Sequence, residues 1–351
     1  MVQEQHPDRA ALYRQWRGFD WPLYVDALNL LDHKVVPIVL GLDEAGRVVT
    51  RMRRPAELDA FLALPAAPQA DRAGLAPMPH PLPGDALFHA GDLDAAIETY
   101  ASAPSGDARA RFRLGVARLR RWESDARQPG DGQAAVAAWG DALAMAPSQY
   151  IWRRRLQQYG PTLTKPYNMY GWIDEARAAI RARGEEPLPL AVEPSGTELL
   201  GRDAPDDATR EDFDPHARLP RDVDDLVAAE VVVTPPRVRP GSRARVRVEL
   251  RIADAWWNNE AEPVRLYASP LAGWTLPTGT WRHAGASDAE TREVRVLEFE
   301  VEVPADATAG TRMLPAYLAY NVCEEAGGVC LLLRNDLQIT LTVDPEAPEI
   351  R

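Results

Sequence analysis

Cys323 and Cys330 are the only cysteines in the 351-residue sequence, and Glu324-Glu325-Ala326-Gly327-Gly328-Val329 separates them. Two thiols at such spacing serve as a structural disulfide, as a pair of buried thiols, or as a redox couple that exchanges with other thiols. An apolar run, Met313 to Val322, leads into the pair, and Leu331 to Leu333 leads out. Gly327 and Gly328 can take positive φ, so the pattern predicts a β-hairpin with the cysteines at its mouth, close enough to bond. Closing so short a ring adds roughly 2–3 kcal/mol at most. That is little for a domain able to fold on its own core, and a short ring is readily strained and so more reducible. Exchange is therefore the leading reading, with a structural staple as its rival. No histidine cluster adjoins the cysteines, and neither a metal nor a cofactor is expected.

The residues around the pair supply further candidates. Glu324 and Glu325 can act as bases or simply solvate a turn. In an extended segment Trp256 and Trp257 point to opposite faces, one into the core and one towards the hairpin. Trp257, Trp281 and Glu324 are the candidate substrate-facing side chains.

Composition narrows the partners. The net charge of −12 argues against nucleic acid and acidic membranes. No apolar run reaches the length of about 18 residues that spans a membrane. Met1-Val-Gln-Glu-Gln-His-Pro7 lacks the blocks of a signal peptide. Only Lys34 and Lys165 are lysine among 40 basic residues, a bias of composition more than of binding.

The expected fold is multidomain α+β. Residues 1–64 read as a helix from Pro7 to Arg17, the apolar run Val35 to Leu42, a turn, Arg47 to Thr50, and a short helix from Pro55 to Leu64. Residues 65–84 hold six prolines and read as a linker. Residues 85–184 are helical by pattern. Residues 185–225 form an acidic, proline-rich linker, the stretch 185–230 carrying 14 acidic and 4 basic residues. Residues 226–345 read as strands, with alternation clearest in Val246, Val248, Leu250, Ile252 and in Leu297, Phe299, Val301, Val303. Several strands at this spacing suggest an immunoglobulin-like sandwich. His6-Pro7-Asp8 matches a co-chaperone motif but is better explained by Pro7 in the first turn of a helix. Arg153-Arg154-Arg155 reads as a solvated helix face before an acidic-partner grip.

Three resemblances follow from these residues. Val36-Pro37-Ile38, with the hairpin and helix after it, resembles the C-terminal half of a thioredoxin-like domain and implies a cis-proline at Pro37. The CxxC motif of that family is absent, so this segment is expected to lack its redox chemistry. Gly91-Asp92 before Ala96, Tyr100 and Ala103 resembles a tetratricopeptide repeat, as do Gly132 before Ala135, Trp139, Ala142 and Pro147, and Leu114-Gly115. Two copies are too few for a free solenoid, so the segment should lean on its neighbours and offer a surface for protein docking. Asn321-Val-Cys323 to Cys330, Ala253-Asp-Ala-Trp-Trp-Asn-Asn-Glu260 and Leu276-Pro-Thr-Gly-Thr-Trp281 resemble the N-terminal domain of the DsbD family of thiol:disulfide interchange proteins. The likeness covers about residues 228–345. It implies that Cys323 and Cys330 form a redox pair between a thioredoxin-like donor and client disulfides, outside the cytoplasm. Two departures stand out: the cysteine spacing is one residue longer than expected, and Arg282-His-Ala-Gly-Ala-Ser287 replaces an aromatic cap loop.

Overall fold

The computed structural model describes residues 6–34, 38–45, 47–52, 54, 56–65, 81–162, 170–190, 193–194, 212–276, 280–283, 290–324 and 328–350, of which 280–283 as backbone alone. Among these the chain is mixed α and β, with helices first and antiparallel strands after. The helices are α1 (Pro7–Arg17), α2 (Ala56–Leu62), α3 (Pro83–Ala90), α4 (Leu93–Ala101), α5 (Ala108–Trp122), α6 (Asp131–Met145), α7 (Tyr150–Tyr159) and α8 (Trp172–Ala182). The strands are β1 (Val39–Leu42), β2 (Val48–Met52), β3 (Val227–Thr234), β4 (Arg243–Ile252), β5 (Trp256–Asn258), β6 (Val264–Ala268), β7 (Thr280–His283), β8 (Glu290–Thr291), β9 (Arg295–Glu302), β10 (Gly310–Cys323) and β11 (Cys330–Val343).

α1 starts at Pro7, whose fixed φ suits a first helical turn, and Gly18 at φ 65° ends it in a conformation that suits glycine. This helix packs against α8 through Leu12, Tyr170, Ile173 and Ile180, with Trp16 stacked on Trp172. Ala27 and Leu28 pack among α5 to α7. β1 and β2 form a separate two-stranded sheet that leaves Val39, Leu42, Val48 and Val49 exposed. Residues 6–33 therefore belong with the helical layer. Pro37 lies outside the described residues, as do 66–80 of the proline-rich stretch.

α3 to α6 form two successive antiparallel pairs. Asp92 and Asp107 start α4 and α5 by accepting the N–H groups of Ala95 and Ala110, which meets donors a helix start leaves unpaired. Each pair closes on one glycine under one aromatic ring. A Cβ at Gly84 would stand 2.6 Å from Tyr100, and one at Gly115 would collide with Trp139. Asp85 ties the pairs together, accepting from Tyr100 Oη at 2.8 Å and Arg113 Nη1 at 2.7 Å. Of the three arginines on α7, Arg155 is buried and donates to the Ala27 carbonyl, while Arg154 bonds Gln157 and Arg153 bonds the Pro147 carbonyl.

The strands after residue 226 form two sheets around one core. One has the order β3-β4-β9; in the other β10 pairs β11 along one edge and β6 and β5 along the other, with β7 and β8 outside them. Val246, Val248, Leu297, Phe299 and Val301 of the first sheet meet Leu266, Leu314, Leu318, Tyr320 and Val322 of the second. Because strand side chains alternate, the even-numbered residues 314–322 of β10 face this core and the odd-numbered ones face outward.

The helical layer rests on the first sheet. Val232 of β3 and Ile350 near the C-terminus join the core of α5, α6 and α7. Gln133 of α6 brackets Val233, accepting its N–H at 2.7 Å and donating to its carbonyl at 3.4 Å. Trp122 Nε1 donates to Glu230, and Arg127 donates to Glu249 at 2.7 Å. Burial alone would raise the Glu249 carboxyl, yet Arg247, Arg127 and Arg251 hold it below its ordinary range. Part of the acidic stretch also lies on the strands. Asp214 takes a bond from Arg334 at 2.7 Å, its own N–H donates to Tyr317, and Arg221 pairs with Asp336 at 2.6 Å. Residues 195–211 of that stretch lie outside the described residues.

Candidate functional site

The β10–β11 hairpin places Cys323 directly opposite Cys330, the last pair of a register that runs back to Gly310 and Val343. Their sulfurs are bonded at 2.04 Å. Cys323 ends an outward-facing series, Tyr317, Ala319, Asn321, so the disulfide sits on the outer face of the sheet, away from the core. Cys323 is nevertheless 0% exposed, whereas Cys330 is exposed. The bond thus has one shielded end and one open end.

β5 supplies the next layer. Its Trp256 lies in register with Cys323 on the side away from Cys330, and Trp257 lies in register with Val322. Alternation then sends the two rings to opposite faces. Trp257 is 0% exposed in the core, its Nε1 donating to the Glu293 carbonyl at 2.8 Å and the Arg295 guanidinium 4.3 Å from its ring centre. Trp257 therefore supports the sheet from behind and does not face a substrate. Trp256 is half-buried on the disulfide's own face, with Arg292 5.0 Å over its ring.

β8 brings in a residue that sequence reasoning missed. Glu290 pairs with Asn258, two residues beyond Trp256, and so projects on the same face as the disulfide. A carboxylate oxygen of Glu290 and both cysteine sulfurs lie within 4.8 Å of one another. Glu290 stands 33 positions before Cys323 in sequence, in a two-residue strand with no alternation to reveal it. Only the pairing of β8 with β5, and of β5 with β10, closes that gap.

The remaining candidates are placed less centrally. Glu324 is exposed at the turn and its backbone N–H donates to Val329 at 3.2 Å. Trp281 lies in β7, in register with Leu266, and its side chain is outside the described residues. Glu325 and residues 284–289 are also outside them. Val329, 67% exposed, and Leu332 flank Cys330 and give its open side an apolar rim.

No family model and no curated protein matches the chain. Among solved structures it is similar to a protein of unknown function from Porphyromonas gingivalis W83, at 16% identity and a TM-score of 0.22, over 34% of this chain and 47% of that one. It is also similar to the sporulation control protein Spo0M from Bacillus subtilis, at 13% identity and a TM-score of 0.21, over 34% and 51%. The chain thus covers about half the length of each of these two. The alkylpurine DNA glycosylase AlkC of Pseudomonas fluorescens, bound to DNA containing an abasic site analog, is matched over 71% of this chain and 63% of its own, at 10% identity and a TM-score of 0.18. Scores this low carry no argument about fold or function.

Proposed function

We propose that Cys323 and Cys330 form a thiol–disulfide exchange centre, in a sandwich of the immunoglobulin-like kind found at the N-terminus of the DsbD family. The observation that carries this reading is the asymmetry of the pair, an exposed Cys330 bonded to a buried Cys323. A donor thiolate attacks Cys330 Sγ, the S–S bond breaks, and Cys323 leaves as a thiolate that takes up a proton. The donor's second thiol then attacks its own sulfur in the mixed disulfide and releases Cys330. Two electrons have passed to this chain, and the donor dithiol has become a disulfide. The same steps in reverse reduce a client disulfide.

On this reading the apolar rim of Val329 and Leu332 receives the partner, a thioredoxin-like protein. The paired helices would be tetratricopeptide-like units that dock a client or donor, and within residues 1–64 the β1–β2 sheet with α2 would be a thioredoxin-like remnant without its own CxxC. By the same resemblance the reaction belongs outside the cytoplasm. Equilibration in glutathione buffers of graded potential tests the centre. An exchange pair becomes half reduced at a potential within the range of known oxidoreductases, whereas a staple stays oxidised down to about −300 mV or below. The second outcome would leave the chain a protein-binding scaffold.

A further inference from the structure

We propose that the reduced form of this site binds a thiophilic divalent cation, with zinc the ion it fits, through Cys323, Cys330 and Glu290. The proposal rests on the exchange reading only in requiring that the disulfide can be opened. Three side chains from three different strands converge on one face here, with ligand atoms within 4.8 Å of one another. Zinc bonds of about 2.3 Å to sulfur and about 2.0–2.2 Å to carboxylate oxygen set neighbouring ligand atoms roughly 3.5–3.8 Å apart. The carboxylate then closes by little more than about an ångström, and the sulfurs, freed from their bond, separate to the same spacing.

The chemistry of the set selects the ion. Two thiolates and a carboxylate favour zinc over magnesium or calcium, which take oxygen ligands. Reduction leaves Cys323 as a fully buried sulfur, and a buried thiolate without a partner is costly. The three ligands carry three negative charges. Zinc supplies two positive ones, and Arg292, over the ring of Trp256, supplies a third. Cys330 is exposed, so the fourth position of the tetrahedron opens to water or to a ligand from outside. The balance is simple: a dithiol or a phosphine delivers two electrons, two protons make the dithiol form of this chain, and zinc binding returns those two protons to solvent. A disulfide such as oxidised glutathione takes the two electrons back by exchange, leaving as two thiols, so that the Cys323–Cys330 bond re-forms and the ion is expelled. The site is thus a cation site gated by redox state.

The test uses the full chain. It is reduced with a phosphine, freed of reductant without oxygen, and titrated with Co2+ and then Zn2+. The reduced chain should take up one Co2+ with a thiolate-to-cobalt charge-transfer band, lose it to one Zn2+, and the oxidised chain should bind neither. Glu290→Gln, checked for native circular dichroism, should weaken Zn2+ binding at least about tenfold, a loss that changes to groups merely supporting ligands already produce. Cys330→Ser, at the exposed end of the hairpin, should lose stoichiometric uptake and serves as the second reading should Glu290→Gln not fold. Absence of stoichiometric uptake by the reduced chain overturns the proposal, as does undiminished affinity in Glu290→Gln or a disulfide that the phosphine cannot open. A chain that exchanges with a dithiol yet binds no ion retains the exchange reading alone. One that binds the ion after the phosphine yet never exchanges retains the cation site alone.

Discussion

In the proposed exchange, attack on the disulfide falls on a single sulfur, because Cys330 is exposed and Cys323 is fully buried. Cys330→Ser should therefore leave the domain folded and abolish exchange with a thioredoxin-like donor. Cys323→Ser should instead accumulate a mixed disulfide through Cys330, visible as an added mass on a non-reducing gel; loss of fold in both variants would make the bond a staple. A second residue-scale effect lies far from the sulfurs. His6 and Glu123 face each other at 3.5 Å in the helical layer. Burial lowers the His6 imidazole to about 2 and raises the Glu123 carboxyl from 4.5 to about 7. The Glu123 contribution is complete below pH 4.5 and is lost as pH rises through about 7. The His6 contribution has the opposite sign, present above 6.5 and lost as pH falls below it. Glu123→Gln removes the first of these. Its urea midpoint should gain on that of the wild type between pH 5 and pH 8, by on the order of 1–3 kcal/mol in stability. A pH-independent difference would show that the Glu123 carboxyl titrates alike in the folded and unfolded chain, and so that burial does not raise it. At this scale the cysteine pair was legible, since apolar runs and a glycine turn enclose it. Glu290 was not, because its place depends on two strand pairings that no local pattern announces.

Among the elements, the hairpin is longer than its sequence pattern. The sequence shows the apolar run Met313 to Val322 before the cysteines and only Leu331 to Leu333 after them, whereas the structure runs β11 unbroken from Cys330 to Val343. Arg334 and Asp336 conceal the middle of that strand, since charged residues argue against a buried sheet face. They are tolerated because Asp214 and Arg221, from the acidic stretch, pair with them on the outer face. The short strands β5, β7 and β8 carry too few residues for alternation to show. The helical pattern was legible in its small and aromatic positions, and the reason is now visible: a glycine on one helix admits a ring from the next. Gly115→Ala should destabilise by about 1–3 kcal/mol, since its Cβ would meet the Trp139 ring in a packed core. Thermal denaturation followed at a helical wavelength checks this, and an unchanged midpoint would show that the ring can retreat at no cost. Gly18→Ala is the control, for it has open space around a left-handed φ of 65° and should cost only backbone strain, on the order of 1 kcal/mol.

Across the whole molecule, the helical layer and the sandwich share side chains instead of merely adjoining. Val232 is core to the helices, Ile350 bonds Gln157 at 2.7 Å, and the Glu249 carboxylate is held by arginines from both layers. The prediction from sequence that two helical pairs must lean on a neighbour finds its physical basis here, while the identity of that neighbour lay in hydrogen bonds between residues 100 or more positions apart. Unfolding should accordingly be cooperative, with helical circular dichroism and accessibility of the reduced cysteines changing at one denaturant concentration. Arg127→Ala should lower that common midpoint; two separated transitions would mean that the layers are independent. The central claim concerns the sulfurs of the intact chain, and one measurement reaches it directly. The oxidised chain is mixed with excess reduced thioredoxin-like protein, quenched with acid, alkylated and weighed. The account predicts that both Cys323 and Cys330 become alkylated in most molecules while the fold persists. A disulfide that remains intact in that excess, with neither cysteine alkylated, would contradict it.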